Sequence, residues 1–393
     1  MSSKPVNKKK SKSVKKIKPV KQKLKLFRSE NKLLSVFMWG LNYSIEQLSH
    51  VEMPVMLLPG DFKAYSKTKV ENYYFNEETL PGHFKYKEYC PKVFKKLREC
   101  FDIDDEQFKQ SIAFSPLMQY GDSGKFFVSR DKQYVVKTID SYDVETMHLI
   151  LQGYHQYIIE NKGVTLLPQY LGMYRITINH KENYLIVMRS VFSAMYPPHK
   201  KYDLKGSSVG RVARNEEKAK ELPTFKDNDF TKDQSKLYIG DDRNAKIMEI
   251  LTRDTEFLVK FRIMDYSLLL GIHDIERGLK ERNHEDEEDC LDEADGSSDE
   301  NTNGDDVDDS PAASPSPAEV CDNNVYAISC STTCTNQEIY YLAIVDVLTQ
   351  YGARKKAAHM AKTAKHGAGA EITTVNHKQY AERFMAFIGR ILE

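Results

Sequence analysis

Two aspartates and one lysine, far apart in the chain, are residue types from which phosphoryl transfer can be built. Asp346 follows the apolar run EIYYLAIV and stands just ahead of the lysine-studded, alanine-rich stretch ARKKAAHMAKTAKHGAGA. A carboxylate at the end of a buried strand is a rigid platform for a hard divalent cation, which takes oxygen ligands. The plainer alternative is an aspartate capping a turn. Asp265 lies in FRIMDYSLLLGIHD, after a helical face made of Ile247, Ile250, Leu251, Phe257, Leu258 and Phe261 and before the strand-like run Ser267 to Ile272. Kinase-type catalytic loops hold their base at such a junction, with a metal-binding aspartate on a later strand, and the order here agrees.

The lysine is Lys137, in YGDSGKFFVSRDKQYVVKTID. Strands are expected over Lys125 to Ser129 and Gln133 to Ile139, after a turn carrying Gly121, Ser123 and Gly124. A lysine inside an apolar run needs a paired charge or a route to solvent, and an ATP phosphate is one such pair. The glycine turn is placed to cover the nucleotide, although it lacks the GxGxxG spacing and a plain hairpin accounts for it equally well. The protein-kinase strings HRD and DFG are absent. The parts therefore describe a kinase-like site of a different family, in which the protein mainly positions groups and neutralises charge.

The runs MDYSLLLGIHD, KYDLKGSSVGR, LPTFKDNDF and RKKAAHMAKTAKHGAGAEITTVN resemble the phosphatidylinositol phosphate kinases, and within them the type II group, the phosphatidylinositol 5-phosphate 4-kinases. The likeness extends to FMWGLNYSIEQLSHVEMPVMLLPGDFKAYSK and YAERFMAFIGRIL, and so covers nearly all of the chain outside residues 1–20 and 276–335. It implies ATP and Mg²⁺ as cofactors, with Lys137 on the ATP phosphates, Asp265 orienting or deprotonating the inositol hydroxyl, and Asp346 holding magnesium. Val187, Met188 and Phe192, at a strand end where the lobes should meet, are expected to line the adenine slot. Lys205 and Arg211 are expected to grip the substrate phosphate, lysine as a point charge and arginine as a fork.

Residues 351–375 correspond to the activation loop that sets lipid choice in this family. Ala358 stands where enzymes phosphorylating the 5-position carry glutamate, which implies selection of phosphatidylinositol 5-phosphate. Lys355, Lys356, Lys362 and Lys365 recur at near-helical spacing, and each basic side chain near an anionic leaflet contributes about 1 kcal/mol. Two positions depart from the family pattern. Gly206, Ser207 and Ser208 replace GST, and Thr146 stands where members carry glutamate. The neighbouring acid, Glu145, lies about 100° around a helix of about 3.6 residues per turn. Either that helix rotates or another acid, such as Asp143, substitutes. A low-activity phosphoinositide-binding scaffold, or a heterodimer partner of an active enzyme, is the competing reading.

Positioning these groups requires an α+β, two-lobed, kinase-like fold. An antiparallel sheet is expected in an N-lobe over residues 21–193, and a smaller mixed C-lobe over residues 194–393. The chain has 393 residues with 40% hydrophobic content, enough for one or two cores, and no apolar run approaches the length that crosses a bilayer. Six cysteines show no zinc-like spacing and suit a reducing compartment. A cytoplasmic chain, peripheral on membranes, is the expectation. The zero net charge hides segregation: residues 1–28 hold eleven lysines and one arginine with no acid, whereas residues 276–310 hold sixteen acids against three bases. The basic tail, residues 1–20, suits an anionic lipid surface or a nuclear import receptor, and nucleic acid less well. Residues 276–335 read as an acidic insertion between two strands, too poor in apolar residues to fold. The segment KQKLKLF, residues 21–27, alternates like an edge strand, and the resemblance implies a homodimer formed through N-terminal sheet that presents a flat basic face to the membrane.

Overall fold

The computed structural model describes residues 29, 31–71, 80–114, 117–121, 124–233, 236–282, 316–331, 334, 336–351 and 376–393. The basic tail, the expected edge strand, Ser123, most of the acidic insertion, Ala358 and the four loop lysines Lys355, Lys356, Lys362 and Lys365 lie outside the described residues.

Helix α1 (Lys32–Ser49) starts where the Asn31 side chain accepts the Leu33 N–H, and it buries Val36, Phe37, Met38 and Leu41. Strands β1 (Tyr65–Glu71) and β2 (His83–Tyr89) pair antiparallel and lead to helices α2 (Pro91–Cys100) and α3 (Asp105–Ala113). Next come β3 (Met118–Tyr120), β4 (Phe126–Val128), β5 (Tyr134–Ile139), helix α4 (Ser141–Glu160), β6 (Tyr170–Ile178) and β7 (Lys181–Arg189). Together the seven strands form one antiparallel sheet in the order β1-β2-β6-β7-β5-β4-β3. The β6–β7 hairpin turns on Asn179 and His180, both at positive φ, the backbone that a two-residue hairpin of matching twist requires.

Helices cover both faces of this sheet. On one, Phe37 of α1 meets Tyr174 and Phe108 of α3 meets Tyr134, at centroid distances of 5.3 and 5.0 Å. On the other, Tyr154 of α4 meets Tyr170 at 5.7 Å.

The second sheet has five strands: β8 (Lys200–Leu204), β9 (Thr224–Lys226), β10 (Ser267–Asp274), β11 (Ala327–Ser329) and β12 (Glu338–Val345), ordered β11-β12-β10-β8-β9. Only β8–β9 is parallel, so this smaller sheet is mixed. Around it lie α5 (Asn215–Lys218), α6 (Asp227–Asp233), α7 (Asp241–Lys260), α8 (275–282), α9 (Pro317–Asn323) and α10 (His377–Ile391). The two-lobed α+β architecture read from the sequence is the one observed.

One buried carboxylate joins the lobes. Asp254 of α7 is fully buried and accepts the Tyr157 hydroxyl of α4, the Thr165 hydroxyl at 2.7 Å and the Leu166 N–H at 2.7 Å. Burial pushes its carboxyl above the ordinary value, and these three donors work against that rise. Removing it leaves three buried donors without an acceptor, so Asp254→Ala should lower unfolding stability by about 3 kcal/mol in denaturant titrations, whereas Asp254→Asn should lose less.

Candidate active site

Strand register brings the distant acids together. Ser267 pairs with Val345 and Leu268 with Leu204, so β10 begins where β12 and β8 end. Asp265 lies two residues before the start of β10, Asp346 one residue past β12, and Lys205 one residue past β8. All three therefore sit on one end of the smaller sheet. Asp265 and Asp346 share a second property, φ values of 65° and 62°. Few side chains adopt this left-handed backbone, and aspartate is among the most tolerant. The segment between α7 and Asp265 is held against the exit of β12 by Met264 N–H to Thr349 O and Tyr351 N–H to Arg262 O, both 2.9 Å.

The larger sheet supplies the cation. Tyr134 and Val136 of β5 are buried beneath α3, while Val135 and Lys137 alternate toward the other face, which is partly open. Lys137 crosses to the other lobe and donates to Asp346 Oδ1 at 2.7 Å, with its ammonium 5.3 Å from the Phe126 ring centroid. Burial in the cleft works to raise the Asp346 carboxyl, but the Lys137 ammonium, its hydrogen bond and the Lys205 charge outweigh it and hold the acid below its ordinary value. Lys205 donates to the Asp265 backbone carbonyl at 2.6 Å, and its charge also acts on Asp346.

Other expected residues are arranged differently. Val187 pairs with Val136 and lies on the α3-covered face, away from Lys137, because successive side chains on a strand alternate. Ile186, opposite Lys137, and Met188, opposite Val135, share the sheet face of Lys137. Phe192 lies edge-on to Tyr341 at 5.6 Å, against the smaller sheet. Arg211 departs from the open fork expected of it. It is buried, with Nε on Asp227 Oδ2 at 2.6 Å and Nη2 on the Asp203 carbonyl, so its guanidinium braces the loop. Gly121 and Gly124 both have positive φ in the connection between β3 and β4, and Tyr120 of that hairpin receives a hydrogen bond from Lys201 Nζ at 3.3 Å.

Sequence reading missed Asp227 and Lys226, although the run TFKDND contains both. Asp227 Oδ1 accepts the successive N–H groups of Lys205, Gly206 and Ser207 at 2.8, 2.7 and 3.3 Å, which shapes the turn beyond β8. Gly206, at φ 65°, lies so close to α10 that a Cβ would stand 3.0 Å from the Arg383 carbonyl. Lys226 pairs with Asp203 in the parallel β8–β9 register, so Lys201, Asp203 and Lys226 share one sheet face. On α4, Thr146 is buried, Glu145 is exposed and Asp143 is half-buried.

Asp346 suits a hard cation: its carboxylate is held ionised, and 55% of its side chain is open to the cleft. Among the described residues no group of three or more His, Cys, Asp or Glu is gathered as a metal cage. A magnesium held here would complete its shell with phosphate oxygens and water, as this ion ordinarily does.

Residues 108–391 match the family model described as Phosphatidylinositol-4-phosphate 5-Kinase. The chain is 54% identical over 384 residues to mouse phosphatidylinositol 5-phosphate 4-kinase type-2 alpha, covering 95% of this chain and 94% of that relative. The human type-2 alpha protein is 53% identical over 382 residues, with the same coverage. Human phosphatidylinositol 5-phosphate 4-kinase type-2 beta is 48% identical over 390 residues, covering 94% of this chain and 92% of the relative. With this family match across most of its length and a lysine and two aspartates gathered at one cleft, the chain belongs to the phosphatidylinositol phosphate kinase family.

Proposed function

We propose that this chain transfers the γ-phosphate of ATP to the 4-hydroxyl of phosphatidylinositol 5-phosphate, making phosphatidylinositol 4,5-bisphosphate. The observation that supports the reading is the Lys137–Asp346 contact, which brings together, between two sheets, a cation of the type that phosphate needs and an acid of the type that magnesium needs. Relatives of this length and identity bear the name of that activity.

Lys137 neutralises charge on the ATP phosphates, and Met188 and Ile186 flank the base-binding side of the cleft. A magnesium ion on Asp346 would supply further neutralisation of the γ-phosphoryl oxygens. Asp265 accepts the proton of the inositol 4-hydroxyl as that oxygen bonds to the γ-phosphorus and the bond to the departing ADP breaks. Lys205 and Lys226 face the 5-phosphate as point charges, while Arg211 acts indirectly by bracing the turn that carries Lys205. Ala358 leaves room for the 5-phosphate orientation, and Lys355, Lys356, Lys362 and Lys365, with the basic tail, attract the anionic membrane surface. The protein works as a homodimer, cytoplasmic and peripheral on membranes, with nuclear entry through the basic tail. The buried Thr146 in place of an acid favours a second reading, a low-activity phosphoinositide-binding scaffold or heterodimer partner.

Incubation with radiolabelled ATP and vesicles containing each phosphatidylinositol monophosphate isomer separates these readings: labelled bisphosphate from the 5-phosphate alone supports the kinase, and binding without product supports the scaffold. Asp265→Asn should reduce turnover by about a thousandfold while Mg·ATP binding measured by calorimetry stays unchanged. Ala358→Glu should move the preference from the 5-phosphate toward the 4-phosphate lipid, and an unchanged isomer ratio would place selectivity elsewhere.

A further inference from the structure

Phosphoryl transfer makes no use of Cys330 and Cys334, which stand in the run AISCSTTCTNQE between β11 and β12. Cys330 is buried just past the end of β11, where its N–H donates to the Glu338 carbonyl at 2.9 Å. Its sulfur receives the Glu338 N–H at 3.2 Å and lies 3.6 Å from both the Asn336 carbonyl and Gln337 Oε1. The chain brings Cys334 back to the same place. Its N–H donates to the Ser331 carbonyl at 3.1 Å, and its thiol donates to the Tyr238 carbonyl at 3.5 Å. That same Tyr238 oxygen accepts the Ser331 N–H at 2.8 Å, so one carbonyl receives both the Cys334 side chain and the backbone adjoining Cys330. The two side chains also bond to each other, sulfur to sulfur. Cys330 is closed to solvent, whereas Cys334 is partly exposed.

We infer that Cys330 and Cys334 form a reversible redox-modification site, at which hydrogen peroxide converts the two thiols into one intramolecular disulfide. The partly exposed Cys334 meets the oxidant. It loses its proton to water, and its sulfur attacks one peroxide oxygen as the O–O bond breaks, which leaves a sulfenic acid and a hydroxide that is protonated to water. Cys330 then loses its proton and attacks the Cys334 sulfur; the S–S bond forms, the S–O bond breaks, and the departing hydroxide becomes a second water. The two thiols give up two electrons in all, and one peroxide is reduced to two waters. Burial first, then the neighbouring Cys330 sulfur, holds the Cys334 thiol above its ordinary value, so little thiolate forms and the first step is slow. Once it has occurred, Cys330 is already in contact to complete the bond. Two sulfurs are too few for a structural zinc site, and among the described residues no third His, Cys, Asp or Glu joins them. A disulfide here frees the Tyr238 carbonyl from Cys334 and closes the connection between β11 and β12 covalently. The catalytic acid Asp346 follows the far end of β12, so the modification marks the hairpin and leaves the cleft untouched. In a reducing compartment such a bond is transient, and thiol exchange reverses it.

Peptide mapping of the full-length chain tests this. The reduced protein is treated with hydrogen peroxide while folded, then denatured, blocked with a maleimide and digested with chymotrypsin. Cleavage after Tyr326 and Tyr340 releases a peptide whose only cysteines are Cys330 and Cys334. The expected result is that peroxide removes both maleimide labels from this peptide and lowers its mass by two hydrogens, and that dithiothreitol before blocking restores both labels. In Cys334→Ser, with a thermal melt to verify folding, the loss of two hydrogens should vanish and Cys330 should keep its label. Cys100→Ser should oxidise at this peptide as the wild type does. The wild-type map decides the matter even if Cys334→Ser fails to fold. The inference is overturned if the wild-type peptide keeps both labels, if it is recovered cross-linked to another cysteine, or if one sulfur gains oxygen while the other remains a free thiol.

Discussion

The whole site depends on an antiparallel ladder. Because Ser267 faces Val345 across β10 and β12, the residues flanking these strands leave the sheet at the same end. Two acids far apart within the C-terminal half of the chain then become neighbours without either strand being long. β8 joins the same ladder and delivers Lys205 to that end. A slip of one residue in either pairing would turn the alternating side chains to the opposite face and lose the buried rows that fill both sides of β10. Hydrophobic burial therefore holds the register, and the register holds the chemistry.

Set against this rigid platform is a single polar bridge to the larger sheet. Lys137 reaches Asp346 across 209 residues of sequence, and its ammonium and the carboxylate are both partly open to solvent. Such a pair adds little to stability, because water screens it. Its value is geometric. By contrast, Asp254 is fully buried, ties α7 to α4 and the segment after it, and acts as a structural fastener. The chain thus uses buried carboxylates for architecture and partly exposed ones for exchangeable contacts. Asp227 belongs with the first kind: it organises three successive N–H groups and the Arg211 guanidinium.

Arg211 shows how misleading residue type can be. An arginine beside a glycine and two serines reads as an anion-binding fork, yet two aspartates capture it, and burial makes their pairing strong. Burial works to lower the Arg211 pKa, and the charges of Asp203 and Asp227 outweigh it and raise the group above its ordinary value. Lys205, on the same turn, keeps its ammonium at the acids of the cleft. The difference arises from where the turn places each Cα, which neither residue type nor local spacing reveals.

The local pattern of the chain determined its elements. Apolar spacing marked α7, strand-like runs marked β4, β5, β10 and β12, and the aspartates at a helix-to-strand junction and a strand end were recognisable as chemistry before any coordinates. The family resemblance added their roles. Tertiary structure alone decided which side chains share a sheet face, because strand parity depends on pairing partners that lie far away in the sequence: Val187 falls on the face of Val136 and Ile186 on that of Lys137. It also decided that Lys137 meets Asp346, that Arg211 is enclosed, and that α4 buries Thr146, since each outcome is set by burial and by charges arriving from distant segments. Short-range sequence encodes the elements through periodicity and capping, whereas the partners of a polar side chain depend on three-dimensional proximity that periodicity does not carry.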